Sequence, residues 1–98
     1  MDNNKKFYVY ILLTLTNKLY CGYTDNVEKR YKLHCIGKGA KFTRANKPIK
    51  IVYTKEFDNK IEAQREERRI KKLPKTKKLE LIKSDENRIF FEQKINLC

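Results

Sequence analysis

Phe7-Tyr8-Val9-Tyr10-Ile11-Leu12-Leu13-Thr14-Leu15 is a nearly unbroken apolar run built from strand-favouring residues. Such a run suits a strand covered on both faces. Thr16, Asn17 and Lys18 read as a turn, and Leu19-Tyr20-Cys21-Gly22-Tyr23 as a second strand. Gly22 inside it marks a bulge or a close approach of backbone. Register decides whether Tyr10 and Tyr20 can act together. A tight turn at Thr16-Asn17 places them on opposite faces. An odd loop, such as 16–18, pairs Thr14 with Tyr20 and puts Tyr10, Leu12, Tyr20 and Gly22 on one face. No Asn-Gly or Asp-Gly forces the shorter turn. A shared tyrosine site therefore predicts the odd loop.

Downstream, Asp25 followed by Glu28 resembles a capping box, opening a helix from Val27 to Ile36 that Gly37 ends. On that helix Val27, Arg30, Tyr31 and His34 share a face, with Arg30 and His34 one turn apart. An arginine turned inward needs an anionic partner, and a substrate phosphate supplies one. A surface pair on an amphipathic helix is the plain alternative. Gly37-Lys38-Gly39-Ala40-Lys41-Phe42-Thr43-Arg44 reads as a phosphate-contacting loop without the spacing of a P-loop. Pro48 precedes a third strand, Ile49 to Phe57. Asn59 with Glu62 caps a helix that runs to Leu73, Pro74 breaks it, and a short helix to Ile82 follows.

On the second long helix Ala63, Ile70 and Leu73 define the apolar side, and both Glu66 and Glu67 lie close to it. An inward carboxylate is costly unless it is paired or holds a cation. Periodicity does not choose between the two. The opposite side and its continuation carry Arg65, Arg68, Arg69, Lys71, Lys72, Lys75, Lys77 and Lys78, a dense cationic strip suited to a nucleic-acid backbone.

Composition agrees. A chain of 98 residues forms one domain, and its eleven aromatics, six Tyr and five Phe, argue against disorder. Its net charge of +12 attracts polyanions, of which nucleic acid is the commonest. Lysine enrichment for solubility, or from an A+T-rich genome, accounts for such a charge without any partner. No amphipathic aromatic-faced helix, long apolar segment or secretory signal points to a membrane. Cys21, Cys35 and Cys98 form no CxxC pair and there is one histidine, which argues against a zinc knuckle. Residues 1–83 read as the domain. Residues 84–98 read as an extension that packs back through Ile89, Phe90 and Phe91 or is partly mobile, and that offers a docking segment to a protein partner. Oligomeric state is not legible.

Together these motifs, over roughly residues 7–83, resemble the GIY-YIG nuclease superfamily, especially its small stand-alone bacterial-type members. Tyr8-Val9-Tyr10 stands for the first motif, with Tyr8 at the glycine position, and Tyr20-Cys21-Gly22 for the second. Arg30 and His34 match the helix pair, Ala40-Lys41-Phe42-Thr43 a downstream stand-alone motif, and the run from Glu62 to Leu73 the segment with the metal-binding glutamate. That alignment selects Glu67 over Glu66. The resemblance implies an α+β fold, a three-stranded antiparallel sheet flanked by helices in the order ββαβαα. It also implies a metal-dependent endonuclease cleaving duplex or branched DNA, in repair or recombination. Cysteines odd in number and widely spaced read as reduced thiols of an intracellular protein, cytoplasmic or nucleoid-associated, and the lack of a separate DNA-reading domain predicts little sequence selectivity.

In that reading Tyr10 and Tyr20 jointly activate water, with Tyr10 favoured as base if neighbouring cations promote its phenolate. Arg30 stabilises charge on the phosphate, His34 relays a proton or binds phosphate, and Glu67 holds one Mg²⁺ or Mn²⁺. The lack of a carboxylate cluster argues against two metals. Lys41, Thr43, Arg44, Arg65, Arg68, Arg69, Lys71, Lys72 and Lys75 are the expected nucleic-acid contacts. A non-catalytic nucleic-acid-binding module and an accessory subunit are the competing readings.

Overall fold

The structure is a computed structural model that describes residues 5–87. Strands β1 (Phe7–Thr14), β2 (Leu19–Thr24) and β3 (Pro48–Phe57) form one antiparallel sheet in the order β2-β1-β3. Helices α1 (Val27–Cys35) and α2 (Lys41–Ala45) lie between β2 and β3, while α3 (Lys60–Lys71) and α4 (Lys75–Ile82) follow β3. The expected α+β architecture is therefore present. The short α2 occupies the stretch that sequence alone renders as loop.

The apolar run lands on the central strand because only that strand has both faces and both edges covered. Val9 and Ile11 join Cys21, Tyr53, Ala63 and Ile70 in the core beneath α3. Tyr10 and Leu12 join Tyr31 and Ile51 in a second core beneath α1. Alternation of side chains along β1 thus divides the molecule into two layers.

Register delivers the shared tyrosine face. Tyr10 pairs with Gly22 and Leu12 with Tyr20, so all four point to the α1 side. The loop is odd but sits one residue earlier than 16–18. Leu13 pairs with Leu19, and Thr14 N–H donates to the Lys18 carbonyl at 3.0 Å, leaving Leu15–Asn17 as the turn. Asn17 takes φ 63°, a left-handed position that asparagine tolerates better than most residues. Thr14 fixes the shift, since its hydroxyl donates to the Lys18 carbonyl and accepts from the Lys18 N–H. On the other side, the register slips between Ile11 and Leu12, where Val52 is the extra residue of β3. This bulge turns Ile51 toward the α1 layer.

Two caps differ in their outcome. Asn59 Oδ1 accepts from Glu62 N–H at 2.9 Å, as its sequence context predicts. At α1 the cap is Asn26, whose Oδ1 accepts from Lys29 N–H, and not Asp25, which pairs with Lys5 at 2.9 Å. The start of the extension is tied down by Asn87. Its amide donates to the Val52 and Ile82 carbonyls and accepts from Thr54 N–H, closing part of the open β3 edge. Ile89, Phe90 and Phe91 lie outside the described residues.

Candidate active site

The α1 face of the sheet carries a polar chain in an otherwise apolar layer. Tyr10 is 2% exposed and its hydroxyl lies 2.8 Å from His34 Nε2. The other ring nitrogen, Nδ1, lies 2.7 Å from Thr43 Oγ1, and the Thr43 hydroxyl donates onward to the Ala40 carbonyl at 3.1 Å. These contacts fix the tautomer. Thr43 spends its proton on a carbonyl that can only accept, so its oxygen accepts from His34 Nδ1–H. Nε2 is then the lone-pair nitrogen, and Tyr10 O–H donates to it. The order is Tyr10 → His34 → Thr43 → Ala40, every proton accounted for.

Burial keeps this chain neutral at rest. It pulls His34 down from 6.5 to about 4, and the positive charge of Arg30 acts in the same direction. Burial also pushes the Tyr10 phenol upward, electrostatic coupling to the neighbouring Tyr20 phenol adds to that, and the Arg30 guanidinium opposes it without prevailing. The cations near Tyr10 therefore do not hold it as a phenolate at rest: desolvation outweighs the neighbouring guanidinium.

The surrounding packing leaves little room. A Cβ at Gly22 would stand 2.5 Å from the Tyr10 hydroxyl oxygen, and one at Gly39 would stand 2.3 Å from His34 Nδ1. Gly22 is therefore the close backbone approach, and Gly39 has the same purpose against the histidine. Tyr20 is half-buried at the mouth, its ring centroid 5.0 Å from His34 and 6.3 Å from Tyr10. Arg30 is half-buried, and its Nη2 donates to the Gly39 carbonyl at 3.0 Å. Among the described residues it pairs with no carboxylate. A guanidinium has five N–H donors, so donors remain for an anion at the mouth.

Glu67 approaches from the other layer. Its helix packs on the opposite face, but β2 is an edge strand, and Lys71 connects the two sides. Lys71 Nζ lies 3.3 Å from Glu67 Oε2 and 5.8 Å from the Tyr20 ring centroid. Glu66 is occupied differently, in a bidentate pair with Arg69 at 2.9 and 2.6 Å. That pair also holds the Glu66 carboxyl below its ordinary value. Geometry thus leaves Glu67 the more available carboxylate.

No group of three or more His, Cys, Asp or Glu poised to hold a metal occurs among the described residues. Mg²⁺ is satisfied by one or two carboxylates completed by waters and phosphate oxygens, so Glu67 at the edge of the site fits a single such ion. Cys21, on the face of β2 turned toward α3, is pushed up to about 12 by burial and by Glu67, which makes it an inert core thiol.

The expected nucleic-acid contacts divide. Lys41 and Arg44 are exposed on α2 beside the site, and Arg65, Arg68, Lys72 and Lys75 are exposed along α3 and its sequel. Arg65, Arg68 and Lys72 follow helical spacing, one continuous stripe. Lys75 Nζ also donates to the Asn17 carbonyl. Arg69 is committed to Glu66 and Lys71 to Glu67. Thr43 is corrected: it is 2% exposed, and its hydroxyl is used inside the relay rather than on the surface. Sequence reading also missed Phe42 stacked on Tyr20, with centroids 5.9 Å apart and planes 22° apart. The adjacency of Phe42 and Thr43 was a signal, since neighbours on a short helix point apart and serve different surfaces.

One pH dependence follows from His34, the only histidine of the chain. The folded group binds its proton near pH 4 and the unfolded one near 6.5. Between those values the unfolded chain holds more protons, so stability rises with pH. The contribution is complete above 6.5 and is lost as pH falls toward 4. The urea midpoint should therefore decline from pH 7 to pH 5, and His34→Gln should flatten that decline. A wild-type midpoint constant over this window would refute it.

Among the described residues no helix is long and apolar enough to cross a membrane. Residues 6–80 match the GIY-YIG catalytic domain. The UPF0213 protein OB0043 of Oceanobacillus iheyensis is 49% identical over 83 residues, covering 85% of this chain and 96% of that protein. The UPF0213 protein CPE1444 of Clostridium perfringens is 50% identical over 94 residues, covering 92% and 98%. The solution NMR structure of the UPF0213 protein BH0048 from Bacillus halodurans superposes with a TM-score of 0.54 at 42% identity, covering 83% of this chain and 86% of that one. With that match spanning the sheet, the tyrosine face, Arg30, His34 and Glu67, the chain belongs to the GIY-YIG catalytic domain family.

Proposed function

We propose that this protein is a divalent-metal-dependent DNA endonuclease whose proton acceptor is the Tyr10–His34 pair. The observation that carries this reading is the 2.8 Å contact of the Tyr10 hydroxyl with a lone-pair nitrogen of a neutral histidine. A water attacking phosphorus gives its proton to the Tyr10 oxygen as Tyr10 passes its own proton to Nε2. The new P–O bond forms as the bond to the leaving oxygen breaks; the imidazolium is held through Nδ1–H by Thr43, the leaving oxygen takes a proton from solvent, and His34 returns its proton to solvent through Tyr10. Tyr20, half-buried at the mouth, orients that water. Arg30 donates to the non-bridging oxygens as charge builds there, an electrostatic task that commonly dominates such catalysis. Glu67 would hold the ion, which supplies charge neutralisation at the phosphate when bound.

Lys41, Arg44, Arg65, Arg68, Lys72 and Lys75 would guide the backbone without reading bases. Selectivity, where present, then comes from DNA structure rather than sequence, a property useful in repair or recombination. The test is nicking of supercoiled plasmid and of branched duplexes with Mg²⁺ or Mn²⁺, against chelated controls. Arg30→Ala should lower the rate by about 10²-fold or more, the scale of one lost transition-state donor. Salt-sensitive DNA binding without nicking by the wild type, under any of these ions, would favour the non-catalytic module instead.

A further inference from the structure

The exposed large apolar residues are Leu15, Ile36, Phe42, Ile61 and Leu79. Scattered apolar residues on a surface need no explanation. Phe42 differs from the other four in three respects. It is the aromatic one, with a flat π face. It is 36% exposed while its ring is stacked on Tyr20, so one side is fixed by a ring of the candidate site and the ring still reaches solvent. Its surroundings are cationic: Lys41 and Arg44 are exposed on the same helix, and Lys71 lies over the Tyr20 ring.

A flat aromatic beside a track of cations is how proteins hold single-stranded nucleic acid, bases on the rings and phosphates on the charges. A base inside an intact duplex is already stacked on both sides and cannot use such a face. An unpaired base can. Phe42 is one ring removed from Tyr20, and Tyr20 is one ring removed from His34, so a base on Phe42 belongs to a nucleotide beside the reacting phosphate. We infer that Phe42 is a stacking platform for an unpaired base of the DNA substrate, and that it makes the protein prefer strands with an unpaired nucleotide next to the cut. This deepens the proposed nuclease reading and rests on it for the position of the cut. The stacking itself is a binding property that can be read without cleavage.

The probe is a pair of oligonucleotide duplexes, identical except that one carries a single unpaired 2-aminopurine at a splayed junction and the other has it fully paired. Binding is measured with chelator present, so that no catalysis enters. Phe42→Leu keeps an apolar cap on Tyr20 while removing the π face, and Phe42→Tyr keeps both. Wild type and Phe42→Tyr should bind the splayed probe roughly tenfold more tightly than Phe42→Leu, within the range of one lost base–aromatic stack. They should also quench its 2-aminopurine, and Phe42→Leu should not. The fully paired probe should bind all three proteins alike. Equal weakening of both probes, or no difference between Phe42→Leu and wild type, overturns the platform while leaving the nuclease reading intact. Binding of neither probe by the wild type also overturns the platform, while nicking with Mg²⁺ or Mn²⁺ decides the nuclease reading separately.

Discussion

Tyr10→Phe is expected to lower the nicking rate by about 10²- to 10⁴-fold, the range that a positioned proton-transfer group supplies. The substitution deletes one oxygen and keeps the ring that packs with Leu12, Tyr31 and Ile51. Its structural cost is the loss of one buried hydrogen bond and a lone pair left open on His34, about 1–3 kcal/mol. The fold should survive, which near-ultraviolet circular dichroism and DNA binding in chelator would check. The decisive feature is non-additivity. If the phenol acts by passing its proton to His34, then His34→Gln removes the same step, and the double variant should be no slower than the slower single one. Multiplying losses would mean that the two side chains serve separate purposes, and the relay would have to be abandoned.

The same pair shows how far the sequence could be read and where it stopped. An apolar run over residues 7–15 with turn residues after it was enough for a central strand and a hairpin. Parity then followed from the demand that two tyrosines share a face. The sequence could not place the turn at Leu15–Asn17, because that choice depends on the Thr14 hydroxyl closing on Lys18, a contact with no periodic signature. Arg30 and His34 were legible as helical neighbours. Their state was not, since the neutrality of His34 comes from burial beneath the sheet, and burial depends on which layer α1 covers. Whether cations can bring Tyr10 to a phenolate depends on the same burial, which pushes the phenol upward. Counting cations near a tyrosine in sequence overlooks the desolvation that the fold imposes.

Thr43 makes the point at a smaller scale. As part of a glycine- and lysine-containing stretch it read as a surface contact, and the structure turns it inward to fix a tautomer. Helix α2 causes this. Once residues 41–45 are helical, Thr43 and Phe42 diverge, the former entering the relay and the latter covering Tyr20. Family resemblance identified that stretch without saying what its members touch.

Glu67 carries the other large expected effect. Glu67→Gln should reduce metal-dependent nicking by about a hundredfold or more, consistent with losing several kcal/mol of charge stabilisation at the phosphate. The amide matches the carboxylate in shape, and the ion pair it forfeits is an i,i+4 contact at 3.3 Å between half-buried Glu67 and the exposed Lys71. Such pairs are worth at most about 1 kcal/mol, so the protein should remain folded. Neighbouring Glu66 provides the control. It lies one residue away on the same helix but is bound at both oxygens by Arg69, so its carboxylate is already spent. Glu66→Gln should cost some stability, because a bidentate charge-assisted pair is broken, and should leave the rate within a few-fold of wild type. A titration of Mn²⁺ separates the two further. Loss of a metal ligand raises the concentration needed for half-maximal nicking, whereas loss of a structural pair does not. If Glu66→Gln shifts that titration and Glu67→Gln does not, the ion belongs on the α3 side of the sheet with Arg69 displaced. Lys71, which links Glu67 to the Tyr20 ring, would then be only a charge on the DNA path.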